Sequence, residues 1–182
     1  FVAMLRDLGV TLDSSLLFNQ HVMNTCRSAF LELRHIGLIR KYLTVDAAKT
    51  IVCSLVLSRL DYCNSILSGS LKCLIQKLQR AQNIAARITL RMPRTEHTTP
   101  LLRVLHWLPI PSRIAYKIDS LCHTALTTAY PKYLSELLNV YTPARPLRSS
   151  LDPNILKIVA ARTKSYGQRT FSYHDPINWN RV

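Results

Sequence analysis

The sequence predicts a mainly α-helical protein: a helical bundle preceded by a short N-terminal strand and followed by an extended, basic C-terminal arm. Three observations predict it. Apolar residues recur at three- and four-residue spacing through residues 16–90, the period of a helix with one buried face. From Ser70 to Leu90 a basic stripe and an apolar stripe occupy opposite faces of one such helix. After Asn139 the period is lost, and Pro143, Pro146, Pro153 and Pro176 interrupt a segment holding seven basic residues.

Val2 to Leu12 reads as a strand and turn, with Gly9 as the joint and Asp13, Ser14 and Ser15 as turn or cap residues. A first helix is expected from about Leu16 to Tyr42, on Phe18, Val22, Cys26, Phe30, Leu33 and Ile36, with Gly37 a weak point. Thr44 is placed to cap a second helix, Val45 to about Leu67, with Asp46 in the first turn where the helix dipole favours an acid. That helix carries Ile51, Leu55, Val56, Leu60 and Cys63 around much of its circumference, as a central element would, and Gly69 stops it. Ser70 is expected to cap the basic helix, whose apolar side is Leu71, Leu74, Leu78, Ala81, Ala85 and Ile88. Thr98 is placed to cap a short helix over Pro100 to Leu105. His106 to Pro111 forms a rigid elbow, because each proline fixes φ and disfavours helix in the residue before it. Ser112 then caps a helix from Arg113 to about Ala129 on Ile114, Ile118, Leu121, Cys122 and Ala125, and Pro131 opens a last one through Leu138. The arm holds at most a short hairpin around Ile155 to Phe171. The expected segmentation is 1–15, 16–92, 93–139 and 140–182, without a fixed-period repeat.

With 182 residues, 48% of them apolar, the chain can bury a core. Its formal charge of +14 is uneven: residues 1–69 balance at +2 and residues 70–182 at +12. A surplus concentrated in this way favours nucleic acid over an anionic membrane surface. The longest apolar run, Ile51 to Leu57, falls far short of the roughly 20 residues that cross a bilayer. Arg6 and Asp7 interrupt what would be the apolar region of a secretory signal. A chain that opens on Phe1 rather than Met is expected to be a piece of a longer protein. Cys26, Cys53, Cys63, Cys73 and Cys122 are odd in number and form no Cys-x-x-Cys pair, which suggests neither a zinc ribbon nor a disulfide framework. Most are expected to be buried, reduced thiols of an intracellular protein, cytoplasmic or nuclear.

Catalytic signatures are missing from the sequence. Metal-dependent nucleotidyl transfer needs clustered carboxylates, and the ten acids here are scattered singly. Asp61 beside Tyr62 lacks a second carboxylate and is expected to pair with Arg59 or to make a structural hydrogen bond. His21, His35, His97, His106, His123 and His174 are too far apart for a local zinc motif. Four glycines cannot build a phosphate loop, and no serine sits in a nucleophile elbow. The expectation is a chain without catalysis, cofactor, metal or small-molecule substrate of its own.

Eight phrases, in a consistent order, carry a family likeness. They are Leu8-Gly9-Val10-Thr11-Leu12-Asp13, Ser58-Arg59-Leu60-Asp61-Tyr62-Cys63-Asn64, Leu78-Gln79-Arg80-Ala81-Gln82-Asn83 and His106-Trp107-Leu108-Pro109, then Tyr133-Leu134-Ser135-Glu136-Leu137-Leu138, Tyr141-Thr142-Pro143-Ala144-Arg145, Tyr166-Gly167-Gln168-Arg169 and Trp179-Asn180. Together they resemble the post-catalytic region of non-LTR (LINE-type, jockey-like) retrotransposon reverse transcriptases, over essentially the whole chain. The resemblance implies that residues 1–15 are the end of the palm near the primer grip, and that 16–92 form the thumb. The parts beyond would belong to the basic region that holds template RNA and target DNA during target-primed reverse transcription. The Tyr-x-Asp-Asp carboxylates, with their Mg, and the endonuclease would lie upstream. His174-Asp175, where relatives more often have small residues before proline, and the stop after Trp179-Asn180-Arg181-Val182 depart from the pattern, as in a decayed genomic copy without selected function.

The candidate nucleic-acid contacts follow from the stripe. Arg80, Arg87 and Arg91 would meet phosphates, Lys72, Lys77 and Arg94 would extend the surface, and Gln76 and Asn83 would add polar contacts. The alternative is a merely solvated face. Trp107 reads as a core plug before it reads as a base-stacking platform. Arg145, Arg148, Arg162, Lys164 and Arg169 would either wrap nucleic acid as a flexible arm or form a soluble tail. A further reading is a protein-interaction or structural module in which the second helix and the Trp107 elbow dock on the missing palm domain, which predicts an exposed apolar patch near Phe1 to Leu12 and poor solubility of the isolated chain.

Overall fold

The computed structural model describes residues 4–142, 155–163 and 166–181. It is mainly helical, with a short two-stranded hairpin at its start. The chain divides into two compact units, Phe1–Ile114 and Ala115–Val182.

In the first unit, β1 (Met4–Asp7) pairs antiparallel with β2 (Val10–Asp13), Met4 opposite Asp13 and Asp7 opposite Val10. Leu8 and Gly9 turn with φ of 44° and 82°, the doubly left-handed geometry of a tight hairpin, which glycine adopts without strain. The Tyr62 hydroxyl donates to the Leu8 carbonyl over 2.6 Å and fastens the turn to the helical body. Asp13 closes the next turn: its Oδ1 accepts from the Ser15 hydroxyl and the Leu17 amide, both at 2.9 Å. These bonds outweigh burial and hold its carboxyl below the usual range.

Helix α1 (Asn19–Ile39) buries Val22, Cys26, Ala29, Leu33 and Ile36 and runs through Gly37 unbroken. Phe30, expected inside, is 37% exposed because Ala29 takes the buried phase. A 3-10 turn, Arg40–Tyr42, ends it. Thr44 caps α2 (Val45–Val52) as expected, its side chain accepting from the Ala47 amide at 3.2 Å, with Asp46 in the first turn. The expected single helix to Leu67 is instead a composite. A π-helical turn, Cys53–Leu57, joins α2 to α3 (Ser58–Asp61), and the extra residue shifts the helical phase. Val52, Val56, Leu57 and Leu60 therefore face inward while Leu55 turns out. Cys63 then adopts a left-handed φ of 51° before a 3-10 turn over Asn64–Leu67.

Helix α4 (Lys72–Leu90) starts from Leu71 rather than from a Ser70 cap, and it packs on α1 and α2. It buries Leu74, Leu78, Ala81, Ala85 and Ala86, whereas Leu71, at its entrance, is half exposed. Helix α5 (Thr98–Leu105) has His97 at its cap position, one residue before the expected Thr98. Both α4 and α5 end in a left-handed residue, Arg91 and His106, with paired amide bonds back to the last turn. Trp107 is buried as a core plug. Helix α6 (Ile110–Thr128) begins two residues before the expected Ser112, and Pro111 is accommodated in its first turn. Asp61 pairs not with Arg59 but with the Arg113 guanidinium, while Arg59 pairs with Glu32 at 3.1 Å. Burial raises the Asp61 pKa and Arg113 opposes the rise.

The second unit has its own core of Cys122, Ala125, Leu138 and Leu156, covered by Leu134, Phe171 and Trp179. After α7 (Lys132–Ser135), Val140 bridges Leu156, so the pairing joins 139–141 to 155–157 instead of forming a hairpin within Ile155 to Phe171. The expected extended arm also contains a helix, α8 (Phe171–Trp179), whose Pro176 and short length hide it from periodicity. Asn180 follows α8 and clamps Leu156: its Oδ1 accepts from the Leu156 amide and its Nδ2 donates to the carbonyl, both at 2.9 Å. Among the cysteines only Cys26 and Cys122 are buried; Cys53 and Cys63 are partly buried and Cys73 is exposed.

Candidate nucleic-acid interface

The apolar stripe of α4 turns toward α1, which leaves its polar stripe outward. Lys72, Gln76, Lys77 and Arg80 are exposed, Asn83 and Arg87 are partly buried, and Arg91 and Arg94 are exposed beyond the last full turn. Their bonding separates them into groups. Lys72, Gln76, Arg80 and Arg94 make no hydrogen bond or ion pair to the described residues. Lys77 Nζ lies 3.5 Å from Met23 Sδ. Asn83 Oδ1 accepts from Gln79 Nε2 at 2.8 Å, so its acceptor oxygen is engaged within the helix. Arg87 Nη2 donates to the Glu96 carbonyl at 2.9 Å, whereas its Nε is buried without a partner.

Arg91 performs a structural task that the stripe does not reveal. Its Nη2 donates to the carbonyls of Arg40 and Lys41, both at 3.0 Å, at the end of α1. Arg40, absent from the candidates, makes the reciprocal contact. Its Nη2 donates to the Thr89 carbonyl at 2.6 Å, its Nε to the Ile88 carbonyl at 3.0 Å and its Nη1 to the Leu43 carbonyl at 2.7 Å. Each guanidinium thus satisfies carbonyls that a helix end leaves open, at the negative pole of the helix dipole. Burial, and then the neighbouring Arg91 charge, draws the Arg40 pKa below its ordinary value without removing the charge. Arg40 was detectable as a cation in the buried phase of Leu33 and Ile36, one turn beyond the latter.

Between the end of α1 and the outer face of α4 lies a groove of about 830 Å³. Arg40, Arg80, Arg87, Arg91 and Arg94 line it with Gly37, Ile84, Ile88 and Met92, and among the described residues no carboxylate belongs to its walls. The fold therefore gathers Arg80, Arg87, Arg91 and Arg94 and adds Arg40, while Lys72, Gln76 and Asn83 lie outside this groove. Five like charges in one concavity repel each other and create a field that a polyanion relieves. Arg162 and Arg169 belong to the second unit, the former exposed and the latter partly buried. Arg145, Arg148 and Lys164 lie outside the described residues.

Two further polar residues escaped the sequence reading. Gln82, fully buried, donates from Nε2 to the Leu108 carbonyl and accepts from Gln79 Nε2, and Gln79 Oε1 accepts from the Ile110 amide. The pair splices α4 to the proline elbow and satisfies an open amide at the start of α6. Gln82 lies in phase with Leu78, Ala85 and Thr89, and a polar residue on a core stripe was the available signal.

Among the described residues no group of three or more His, Cys, Asp or Glu is placed to hold a metal, and no helix is long and apolar enough to cross a membrane. No family model, curated protein or solved structure matches the chain.

Proposed function

We propose that this chain is the nucleic-acid-holding, post-catalytic part of a non-LTR retrotransposon RNA-directed DNA polymerase. On this reading residues 16–92 act as the thumb and grip template RNA or target DNA through phosphates. The carboxylates and Mg of the reaction belong to a palm domain outside this chain. The observation that carries the reading is the groove in which five arginines meet, with no carboxylate among its described lining residues. Contacts of this kind provide affinity without sequence specificity and weaken steeply with salt.

Binding of the full chain to a labelled RNA hairpin and a DNA duplex across a salt series tests the proposal. Arg80 and Arg94 are the informative positions, since both are exposed and neither supports the fold through a bond to the described residues. Changing both to Ala is expected to reduce the slope of log K against log salt by about 1.5–2 units, two phosphate contacts' worth. An unchanged slope, or a wild type that does not bind, overturns it.

A second reading has a specific observation in its favour. Met4, Leu5, Leu8 and Leu16, in and beside the hairpin, are 51%, 60%, 82% and 43% exposed. Exposed apolar side chains on β1, in its turn and just after β2 are what a docking surface for the rest of a palm would present. Replacing Leu5 and Leu8 with Ser is then expected to reduce self-association of the isolated chain in sedimentation, and no change counts against docking.

A further inference from the structure

A second opening, of about 610 Å³, adjoins the arginine groove and shares Arg80 with it. It lies along α1 and α4, and its character is different. Its floor is Met23, Cys26 and Phe30, with Met23 48% and Phe30 37% exposed. Arg27, Lys77 and Arg80 form a cationic rim, and among the described residues no carboxylate is in the walls. Gln20 and Asn24 stand at the edge, the Gln20 amide donating to Asn24 Oδ1 at 3.0 Å. Lys77 Nζ lies 3.5 Å from Met23 Sδ.

We propose that this slot receives an unpaired base of a single-stranded nucleic acid, stacked on Phe30 beside Met23, with the flanking phosphates on Arg27, Lys77 and Arg80. The inference rests on the polyanion reading of the arginine groove and adds to it a preference for unpaired strands. Three features select this occupant. A partly exposed aromatic ring beside Met23 and Cys26 offers stacking to any base, whatever its identity. Side-chain amides at the edge can donate to and accept from base edges. The cations do not stop at the rim but continue through Arg80 into a groove with four more arginines, as suits a polymer carrying one charge per unit. A duplex keeps its bases in the stack and reaches only the rim. An acidic peptide satisfies the rim without explaining that continuation.

The test uses the full chain and three probes: a short oligo(dT) carrying one 2-aminopurine, an abasic deoxyribose-phosphate oligomer of equal length, and a duplex. The oligo(dT) is expected to bind about tenfold more tightly than the abasic strand, the worth of one stacked base. Phe30→Ala removes that advantage, Phe30→Trp restores it, and neither changes the salt slope. The 2-aminopurine emission is quenched by the wild type and not by Phe30→Ala. Equal affinity for base-bearing and abasic strands overturns the proposal. So does a Phe30→Ala that weakens duplex and single strand alike, or an acidic, leucine-rich peptide that fills the slot while oligo(dT) does not. If all three probes bind with a steep salt slope but Phe30→Ala changes nothing, the slot fails and the groove stands. If none binds, the groove reading itself has failed.

Discussion

Arg40 reaches from the end of α1 to close the carboxyl end of α4, and Arg91 returns the contact. Both remain charged and both line the groove, so each acts on the fold through bonds and on a ligand through its field. Removing Arg40 leaves the Thr89 carbonyl without a donor, whereas the Ile88 carbonyl keeps the Arg91 amide at 3.2 Å and the Leu43 carbonyl keeps Arg91 Nη2 at 3.4 Å. Arg40→Met is therefore expected to cost about 1–3 kcal/mol, read as a lower urea midpoint with an unchanged m-value. A loss within about 0.5 kcal/mol, the ordinary scale of surface changes, refutes the reciprocal cap. Gln82→Leu is milder, since the Leu108 carbonyl keeps the Arg113 Nε donor at 2.9 Å, and is expected to cost about 0.5–1.5 kcal/mol by the same measurement. The sequence displays the charge of Arg40, Arg80, Arg91 and Arg94 alike. What separates them is which carbonyls the fold brings near, a tertiary fact that period and spacing do not encode.

At the scale of elements, α1 shows a departure from propensity that the fold tolerates. Gly37 lies in its last turns with no left-handed φ, and a Cβ built there meets no heavy atom within 4 Å. Glycine's conformational freedom thus serves no purpose visible at this position. Gly37→Ala is expected to stabilise the protein by about 0.5–1 kcal/mol, measured as a higher Tm by circular dichroism. A lower Tm means that the backbone there needs glycine after all. Elements with a sustained apolar period, α1 and α4, were legible because helix face and core face coincide. The stretch after Val52 was not, since one π turn rephases Leu55 outward and Leu57 inward without any change of composition. The helix α8 was hidden for another reason. Its nine residues contain Pro176, and it is held by the packing of Phe171 and Trp179 and by the Asn180 clamp rather than by its own periodicity.

At the scale of the whole molecule, the two units differ in what they bury. The second contains Asp175, fully buried, with neither carboxylate oxygen fully hydrogen-bonded. Burial lifts its pKa to about 6; the Cys122 thiol on α6 partly opposes the rise, and the Asp119 charge on the same helix adds to it. His174 stands next to it in the chain, with its own pKa lowered by burial and by Arg181 while Asp119 opposes. In the unfolded chain Asp175 titrates near 3.8, so between there and about 6 the native state holds a proton that the unfolded state has lost. Stability therefore falls as pH rises through that window and then levels, the ionised carboxylate costing on the order of 2–3 kcal/mol at neutral pH. Asp175→Asn cannot ionise. Its stability relative to wild type should climb from pH 4 to pH 6 and stay flat above, with the variant the more stable protein at pH 7. His174 works in the opposite sense, contributing stability above its ordinary pKa that is lost as pH falls, but it is present in both proteins. Urea unfolding at several pH values, read from Trp179 in a Trp107→Phe background, places the reporter in the second unit. Curves for the two proteins that run parallel with pH would show that native Asp175 titrates as it does in the unfolded chain, and would overturn the buried-carboxylate account.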